Sequence, residues 1–156
     1  MTYQMWERSV PPQIRVDGVW SVEAYRLALF LSDVAWHDAN DLAKHRRTIK
    51  LGAEMLEAMS GVAAGLARAH DRTASAERRL ALEDALGAAR AGAGYYHGCR
   101  HVLGQEIIMH RIRVLNHVIA RLKEMGAGTP SGQQSAEEIV LPTDKLEPLL
   151  QQVPLP

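Results

Sequence analysis

The sequence contains little cysteine and few aromatic residues. Cys99 is the only cysteine among the 156 residues, so no disulfide can form within the chain, as is usual for proteins of a reducing compartment. Aromatic residues make up 5% of the sequence and charged residues 23%, while alanine, leucine and arginine are abundant. This composition is typical of a soluble helical protein, and the length suits one domain with a sizeable core.

Long apolar runs are also missing. No segment reaches the roughly 20 apolar residues that a membrane-spanning helix needs. The opening MTYQMWERSVPP lacks the apolar core of a signal peptide. We therefore expect a cytoplasmic protein with no membrane partner.

The sequence gives no signal of catalysis. It has no nucleophile elbow, and its glycines lie within helical patterns rather than in a loop that could cradle phosphates. Ser60, His70 and Asp71 are close in the sequence, but nothing in their spacing brings them together. We expect no enzymatic activity and no cofactor.

The charges balance in number but not along the chain. Lysine and arginine total 18, as do aspartate and glutamate. Basic residues outnumber acidic ones between Asn40 and Met125, whereas acidic residues prevail after Gly126. A neutral total does not by itself indicate a polyanionic partner, yet this distribution allows a basic surface.

Four apolar patterns predict four helices, over residues 19–36 (or from residue 21), 42–69, 74–103 and 105–125. Apolar residues recur at spacings of four and three, as in the seam of a helix bundle, and Trp36 widens the first seam. The segment DAND before the second helix indicates a break, with Asn40 or Asp41 as the N-cap. Because the connections are short, the pattern predicts an all-α, antiparallel up-down-up-down four-helix bundle. The expected core includes Leu27, Leu31, Leu56, Leu86, Ile112, Leu115 and Ile119.

Small residues mark a close contact between the second and third helices. In the second helix they are Gly61, Ala63, Ala64, Gly65 and Ala67. In the third they are Gly87, Ala91, Gly94 and Gly98, and we expect these two bare faces to pack together. The HDRT segment separates the helices, and Thr73 or Ser75 is the expected N-cap of the third.

The second helix has two apolar faces, which predicts either a central position or a contact with another subunit. We therefore expect a homo-oligomer. Residues 1–18 are expected to form an irregular arm anchored by Trp6, followed by the bundle over residues 19–126. Residues 127–156 are expected to form a linker and an apolar, acidic tail interrupted by prolines. We expect this tail to form a strap or a single helical turn, docked on its own bundle, a neighbouring subunit or a partner.

The segment SGVAAGLAR resembles the motif S-N-I-A-E-G-x-G-R of four-helix bundle proteins of the ribosomal-RNA intervening-sequence type. Ser60, Ala63, Gly65 and Arg68 match it, while Gly61 and Ala64 replace its asparagine and glutamate. The segments DGVW at residues 17–20 and LG at residues 103–104 are also similar to that family's pattern. The resemblance covers residues 17–125.

This resemblance implies a bundle that associates, often as a five-fold ring, and no established enzymatic activity. One branch of the family comprises the accessory variability proteins of diversity-generating retroelements. Their basic ring holds nucleic acid and a reverse transcriptase. The resemblance therefore implies RNA or DNA and a reverse transcriptase as partners.

Two groups of cations are candidate contacts for nucleic acid. Lys44, Arg46, Arg47 and Lys50, with His45, form the denser group, at the expected start of the second helix. Cations there oppose the helix dipole, which favours a binding role, although a solvated face is an alternative. Arg68, Arg72, Arg78 and Arg79 form a second group around the hairpin. The alternative for the whole molecule is a protein–protein interaction scaffold with no nucleic-acid role.

Four histidines are candidate metal ligands. His97 and His101 are four residues apart on one predicted helix, and such a pair can share a metal. The spacing supplies no third ligand, although His110 and His117 lie on the next helix. We therefore expect no metal site and expect Cys99 to be a small core residue.

Overall fold

The computed structural model describes residues 2–128 and 143–156. Within these ranges all regular structure is helical, which confirms the all-α prediction. The four long helices are α3 (Glu23–Leu42), α4 (Ile49–Asp71), α5 (Ser75–Gly98) and α7 (Gln105–Glu124). The short elements are α1 (Tyr3–Ser9), α2 (Pro12–Arg15), a 3-10 turn (Gly18–Ser21), α6 (Arg100–Leu103) and α8 (Thr143–Gln151).

Helix α4 lies between α3 and α5, and α7 packs against both α3 and α5. A Cβ added at Gly52 would meet the Leu42 side chain, and one added at Gly65 would meet Ala85, so the start of α4 packs on the end of α3 and its later turns pack on α5. Both apolar faces of α4 are used inside one chain, because Met55, Val62 and most of their apolar neighbours are buried. The two faces of α4 therefore no longer argue for a contact with another subunit.

The apolar spacing predicted the core well. Leu27, Leu31, Leu86, Leu115 and Ile119 are buried as expected. Leu56 and Ile112 are only partly buried and pack against the edge of that core.

The predicted break at residues 38–41 is wrong, since α3 continues to Leu42. Asp38 is fully buried there because it forms an ion pair with Arg111. An aspartate that has a buried cationic partner can remain within a helix, although the same residue usually indicates a helix end. Trp36, expected to widen the seam, is instead 59% exposed.

The third predicted helix is divided at Cys99 into α5 and α6. The residue before α5 is Ala74, and no side chain caps this helix end, so neither Thr73 nor Ser75 is its N-cap. Gly104, with a φ of 81°, separates α6 from α7 as predicted. Gly126, with a φ of 108°, follows α7 in the left-handed conformation that favours glycine after a helix.

Helices α4 and α5 are in close contact at Gly65. A Cβ added there would lie 2.8 Å from the Ala85 Cβ and 3.0 Å from the Ala81 carbonyl oxygen. The predicted partner face on α5 is wrong at Gly87 and Gly94, because no atom lies within 4 Å of a Cβ added at either, and of its glycines only Gly98 faces α4, at Leu51. The contacting face of α5 instead consists of Ala81, Ala85, Ala88 and Gly92.

The N-terminal segment is helical rather than irregular. Trp6 is buried, as expected of an anchor, and lies 5.3 Å from the Phe30 ring and 6.2 Å from the Trp20 ring. The Trp6 indole also donates a hydrogen bond of 2.5 Å to Asp33. Because these partners lie on α3 and the 3-10 turn, the aromatic cluster holds α1 against the core.

The C-terminal segment docks on its own chain. Helix α8 contacts α1 and α7, and Leu146 and Val153 are buried against them. At nine residues it is longer than the expected single turn, even though Pro148 lies within it. The tail residues Ile139, Val140, Leu141 and Pro142 lie outside the described residues.

We expect Gly65→Ala to destabilise the fold and Gly87→Ala to stabilise it. Overpacking at Gly65 should lower the free energy of unfolding by about 1–3 kcal/mol. The same change at Gly87 meets open space, so it should add about 0.5–1 kcal/mol through helix propensity. Urea unfolding of the two variants measures both changes. Equal effects would contradict the close contact of α4 with α5 at Gly65.

Candidate nucleic-acid interface

The denser basic group lies in a loop, not on a helix as predicted. Residues 43–48 connect α3 to α4 and form what we call the basic loop; of the predicted cations only Lys50 lies on α4. The Thr48 hydroxyl donates to the Leu42 carbonyl at 2.8 Å, and the His45 amide donates to the same carbonyl at 3.1 Å. These bonds to the end of α3 give the loop a defined conformation.

The cations of this group differ in how they are compensated. Lys44 Nζ lies 2.8 Å from Asp41, and Lys50 Nζ lies 3.6 Å from Glu54. Arg46 and Arg47 are exposed, and no acidic group of the described chain lies within ion-pair distance of either. They are therefore the cations of the loop that are most available to an external anion.

The start of α4 reinforces this positive charge. The first turn of α4 holds no acidic residue, and no side chain caps its N-terminus. The free N–H groups of a helix N-terminus carry a partial positive charge. Arg46 and Arg47 immediately precede that end, so the local potential favours a negatively charged partner.

A cavity of about 700 Å³ lies beside the basic loop. The loop and Leu51 of α4 form one wall, and the junction of α5 and α6 forms the other. Residues 98–102, which contain this junction, are more than forty positions away in the sequence. The lining residues are Lys44, His45, Arg46, Arg47, Thr48, Leu51, Gly98, Cys99, His101 and Val102.

A buried polar network fixes both walls of this cavity. Arg111 of α7 donates from Nε to Asp38 Oδ2 at 2.9 Å and from Nη2 to Asp38 Oδ1 at 3.0 Å. Tyr96 donates its hydroxyl to the same carboxylate at 2.9 Å. Asp38 lies one turn before the end of α3, and Tyr96 precedes the α5–α6 junction. The network therefore holds the ends of the two helices that lead into the cavity walls.

Burial and the nearby Asp38 carboxylate set the protonation of this region. Together they raise the pKa of Tyr96 well above its usual range, so its hydroxyl remains a donor. Burial, with a smaller effect of Asp38, also raises the pKa of the Cys99 thiol. Cys99 is fully buried, as expected of a small core residue, and a protonated, inaccessible thiol is a poor nucleophile.

The network also holds the C-terminal segment. Arg111 Nη2 donates to the Pro154 carbonyl at 2.7 Å, and His110 Nε2 lies 2.8 Å from the Leu149 carbonyl. Arg111 Nη1 lies 2.9 Å from His110 Nδ1. Because arginine can only donate, Nδ1 accepts and the ring proton lies on Nε2, which donates to Leu149. His110 is therefore a neutral link between α7 and α8, while Arg111 holds Pro154 in the segment that follows α8.

The second predicted group, around the hairpin, is largely neutralised. Arg68 lies 3.5 Å from Asp84, and Arg72 lies 3.3 Å from Glu77. Arg79 lies 3.5 Å from Glu83. All three pairs are exposed and individually weak, but each places a carboxylate where a phosphate would bind. Arg78 is the member of this group without an ion pair in the described residues.

The histidines considered as metal ligands are dispersed. His97 and His101 are exposed, whereas His110 and His117 are buried elsewhere, the latter 3.4 Å from Glu23. Among residues 2–128 and 143–156, no group of three histidine, cysteine or acidic side chains is placed to hold a metal ion.

The residues of the SGVAAGLAR segment have structural contacts. Ser60 Oγ lies 3.1 Å from Ser32 Oγ, Gly65 forms the close approach to α5, and Arg68 pairs with Asp84.

Comparison with models of protein families, with curated proteins and with solved structures finds no match. The described helices also lack the combined length and apolarity that crossing a membrane requires.

The protonation of His110 predicts a pH dependence of stability. Burial, followed by the adjacent Arg111 guanidinium, lowers the pKa of His110 from 6.5 to about 4. Between these values the unfolded chain binds a proton that the folded chain excludes. The stability that neutral His110 contributes is therefore fully present above about pH 6.5 and is lost as the pH falls towards 4. The free energy of unfolding falls by at most about 1.4 kcal/mol per pH unit in this range.

We expect His110→Gln to remove this dependence, since glutamine offers an N–H to Leu149 without titrating. Urea unfolding at pH 7 and pH 5 should show a smaller loss for His110→Gln than for the wild type. His97→Gln changes an exposed histidine and should behave as the wild type does. If all three proteins lose the same stability, the neutral His110 link is wrong.

Proposed function

We propose that the chain is a non-enzymatic scaffold that binds nucleic acid through its basic loop. The observation that supports this best is the pair of exposed arginines, Arg46 and Arg47, that have no described acidic partner and directly precede the N-terminus of α4. Guanidinium groups bind phosphate oxygens with two parallel hydrogen bonds, so two adjacent ones suit neighbouring phosphates of a strand.

This interface differs from the one expected from the sequence alone. Arg68, Arg72 and Arg79 are left out, because a bound phosphate would have to displace the carboxylate that each already faces. Lys44 and Lys50 are supporting contacts whose existing ion pairs are exposed and therefore weak. Phosphate contacts carry no sequence information, so we expect little sequence preference from the loop.

Assembly would strengthen such a site. We propose that the four long helices form an up-down-up-down bundle that associates as a cyclic homo-oligomer, a pentamer by the resemblance given above. Each subunit would then present Arg46 and Arg47 on the same side of the ring, and symmetry would multiply a modest charge. By the same resemblance, the protein partner is a reverse transcriptase of a diversity-generating retroelement.

We expect salt-sensitive binding of single-stranded RNA or DNA that depends on the basic loop. Arg46→Ala with Arg47→Ala should weaken binding and flatten the salt slope by about one unit or more, since each phosphate contact contributes about 0.7 for a single strand. Fluorescence anisotropy of a labelled oligonucleotide between about 50 and 200 mM salt measures both quantities.

Arg68→Ala with Arg72→Ala is the matched control for this experiment. It removes the same formal charge from the same helical domain, but from arginines that already face carboxylates. The control variant should retain most of the wild type's affinity for the oligonucleotide and most of its salt slope. Equal losses in the two double variants would indicate a diffuse charge effect, and no binding by the wild type at about 50 mM salt would refute the proposal.

The alternative, a protein–protein scaffold without nucleic acid, is favoured by a different feature. Trp36 on α3 is 59% exposed, an unusual position for a large aromatic side chain and one typical of an interface. If this surface mediates self-association, light scattering should give a mass several times 17.2 kDa for the wild type. Trp36→Glu should reduce that mass, whereas a monomeric wild type would contradict the oligomer.

A further inference from the structure

The cavity beside the basic loop combines two kinds of surface. Its interior includes Leu51 and Val102, which are partly buried apolar side chains, and the fully buried Cys99. A Cβ added at Gly98 would lie 3.9 Å from both methyl carbons of Leu51, so a side chain at this position would reach from one wall to the other. The absence of a side chain at Gly98 therefore keeps the space beside Leu51 open.

The polar groups near this apolar surface are already satisfied. Thr48 is 8% exposed, and its hydroxyl donates to the carbonyls of Leu42 and His45. The Cys99 thiol is protonated at neutral pH, because burial raises its pKa. The inner surface is thus neutral and apolar, and it suits a flat ring better than a hydrated ion.

The rim of the cavity has the opposite character. Lys44, Arg46 and Arg47 line it from the loop, while His45 and His101 are exposed imidazoles on opposite walls. The cations attract an anionic group, and imidazoles can hydrogen-bond or stack on a planar ring. A volume of about 700 Å³ lies within the range of pockets that enclose a small organic ligand.

We propose that this cavity accepts one nucleotide unit, with the base against Leu51 and Val102 and the phosphate at Arg46 and Arg47. The proposal rests on the proposed function and specifies it further, because it adds a base-binding position to the phosphate contacts. A strand would leave one unstacked base in each cavity while neighbouring phosphates follow the loop. Apolar contact with Leu51 and Val102 involves no hydrogen bond to a base edge, so it carries little sequence information, which is consistent with a scaffold that does not read bases.

A ligand must carry an anionic group and a flat apolar ring if it is to contact both the cationic rim and the apolar interior of the cavity. Inorganic phosphate would contact the rim alone, and a nucleoside would contact the apolar surface without the cations. A fatty-acid anion would also combine charge with apolar surface, but its alkyl chain could neither hydrogen-bond nor stack with the imidazoles of His45 and His101. These differences allow small probes to distinguish the occupants.

The test uses the full-length chain and adenosine monophosphate as the probe. Adenosine monophosphate should shift the backbone amide resonance of Gly98 and bind, by calorimetry at low salt, at least about tenfold more tightly than adenosine or inorganic phosphate. Uridine monophosphate should behave similarly. Equal affinity for inorganic phosphate, an unmoved Gly98 resonance, or tighter binding of decanoate would each overturn the nucleotide cavity.

Val102→Trp would fill the apolar part of the cavity while leaving the loop arginines unchanged. It should weaken binding of adenosine monophosphate at least about tenfold yet keep the salt slope for an oligonucleotide. Circular dichroism checks that the Val102→Trp variant is folded. If the variant does not fold, the shift of the Gly98 resonance in the wild type still tests the cavity. If oligonucleotides bind but mononucleotides do not, only the cavity is wrong; if neither binds, the nucleic-acid function itself is wrong.

Discussion

The buried ion pair between Asp38 and Arg111 is the constraint on which the arrangement depends. Both side chains are fully inaccessible, and burying a charge without a partner is costly. Their bidentate geometry, completed by the Tyr96 hydroxyl and the Pro154 carbonyl, satisfies both groups. Such a pair adds little net stability over an apolar core, but removing one partner costs about 3–5 kcal/mol. The ion pair therefore holds the end of α3 against α7, and the Tyr96 hydrogen bond brings the end of α5 to the same place, beside the cavity.

The distribution of ion pairs separates the two basic groups. Both look alike as sequence, since each contains four lysine or arginine residues within a dozen positions. Around the hairpin the helical spacing places Glu83 one turn beyond Arg79, and the packing of α4 against α5 brings Asp84 to Arg68. Arg46 and Arg47 lie in a loop where neither mechanism supplies a carboxylate. Availability of charge is thus a property of the fold, and a count of residues does not reveal it.

The sequence predicted the long helices and most of the core because apolar periodicity reflects burial directly. It failed at Asp38, since the partner that makes an aspartate tolerable inside a helix is 73 positions away. It also chose the face with Gly87 and Gly94 on α5, because a stripe of small residues does not show which neighbour, if any, covers it. The cavity was not predicted, as its walls come from separate stretches of chain. The arginines of the loop were predicted, but their placement on a helix was wrong.

The close approach at Gly65 and the ion pair of Asp38 with Arg111 differ in the length of chain that each contact closes. Helices α4 and α5 are consecutive and joined by a short turn, so their contact closes a small loop at little entropic cost. The ion pair must close a loop of 73 residues and lose its water in the same event. The cavity walls therefore depend on a contact that closes a long stretch of chain, whereas the α4–α5 hairpin depends on a local one.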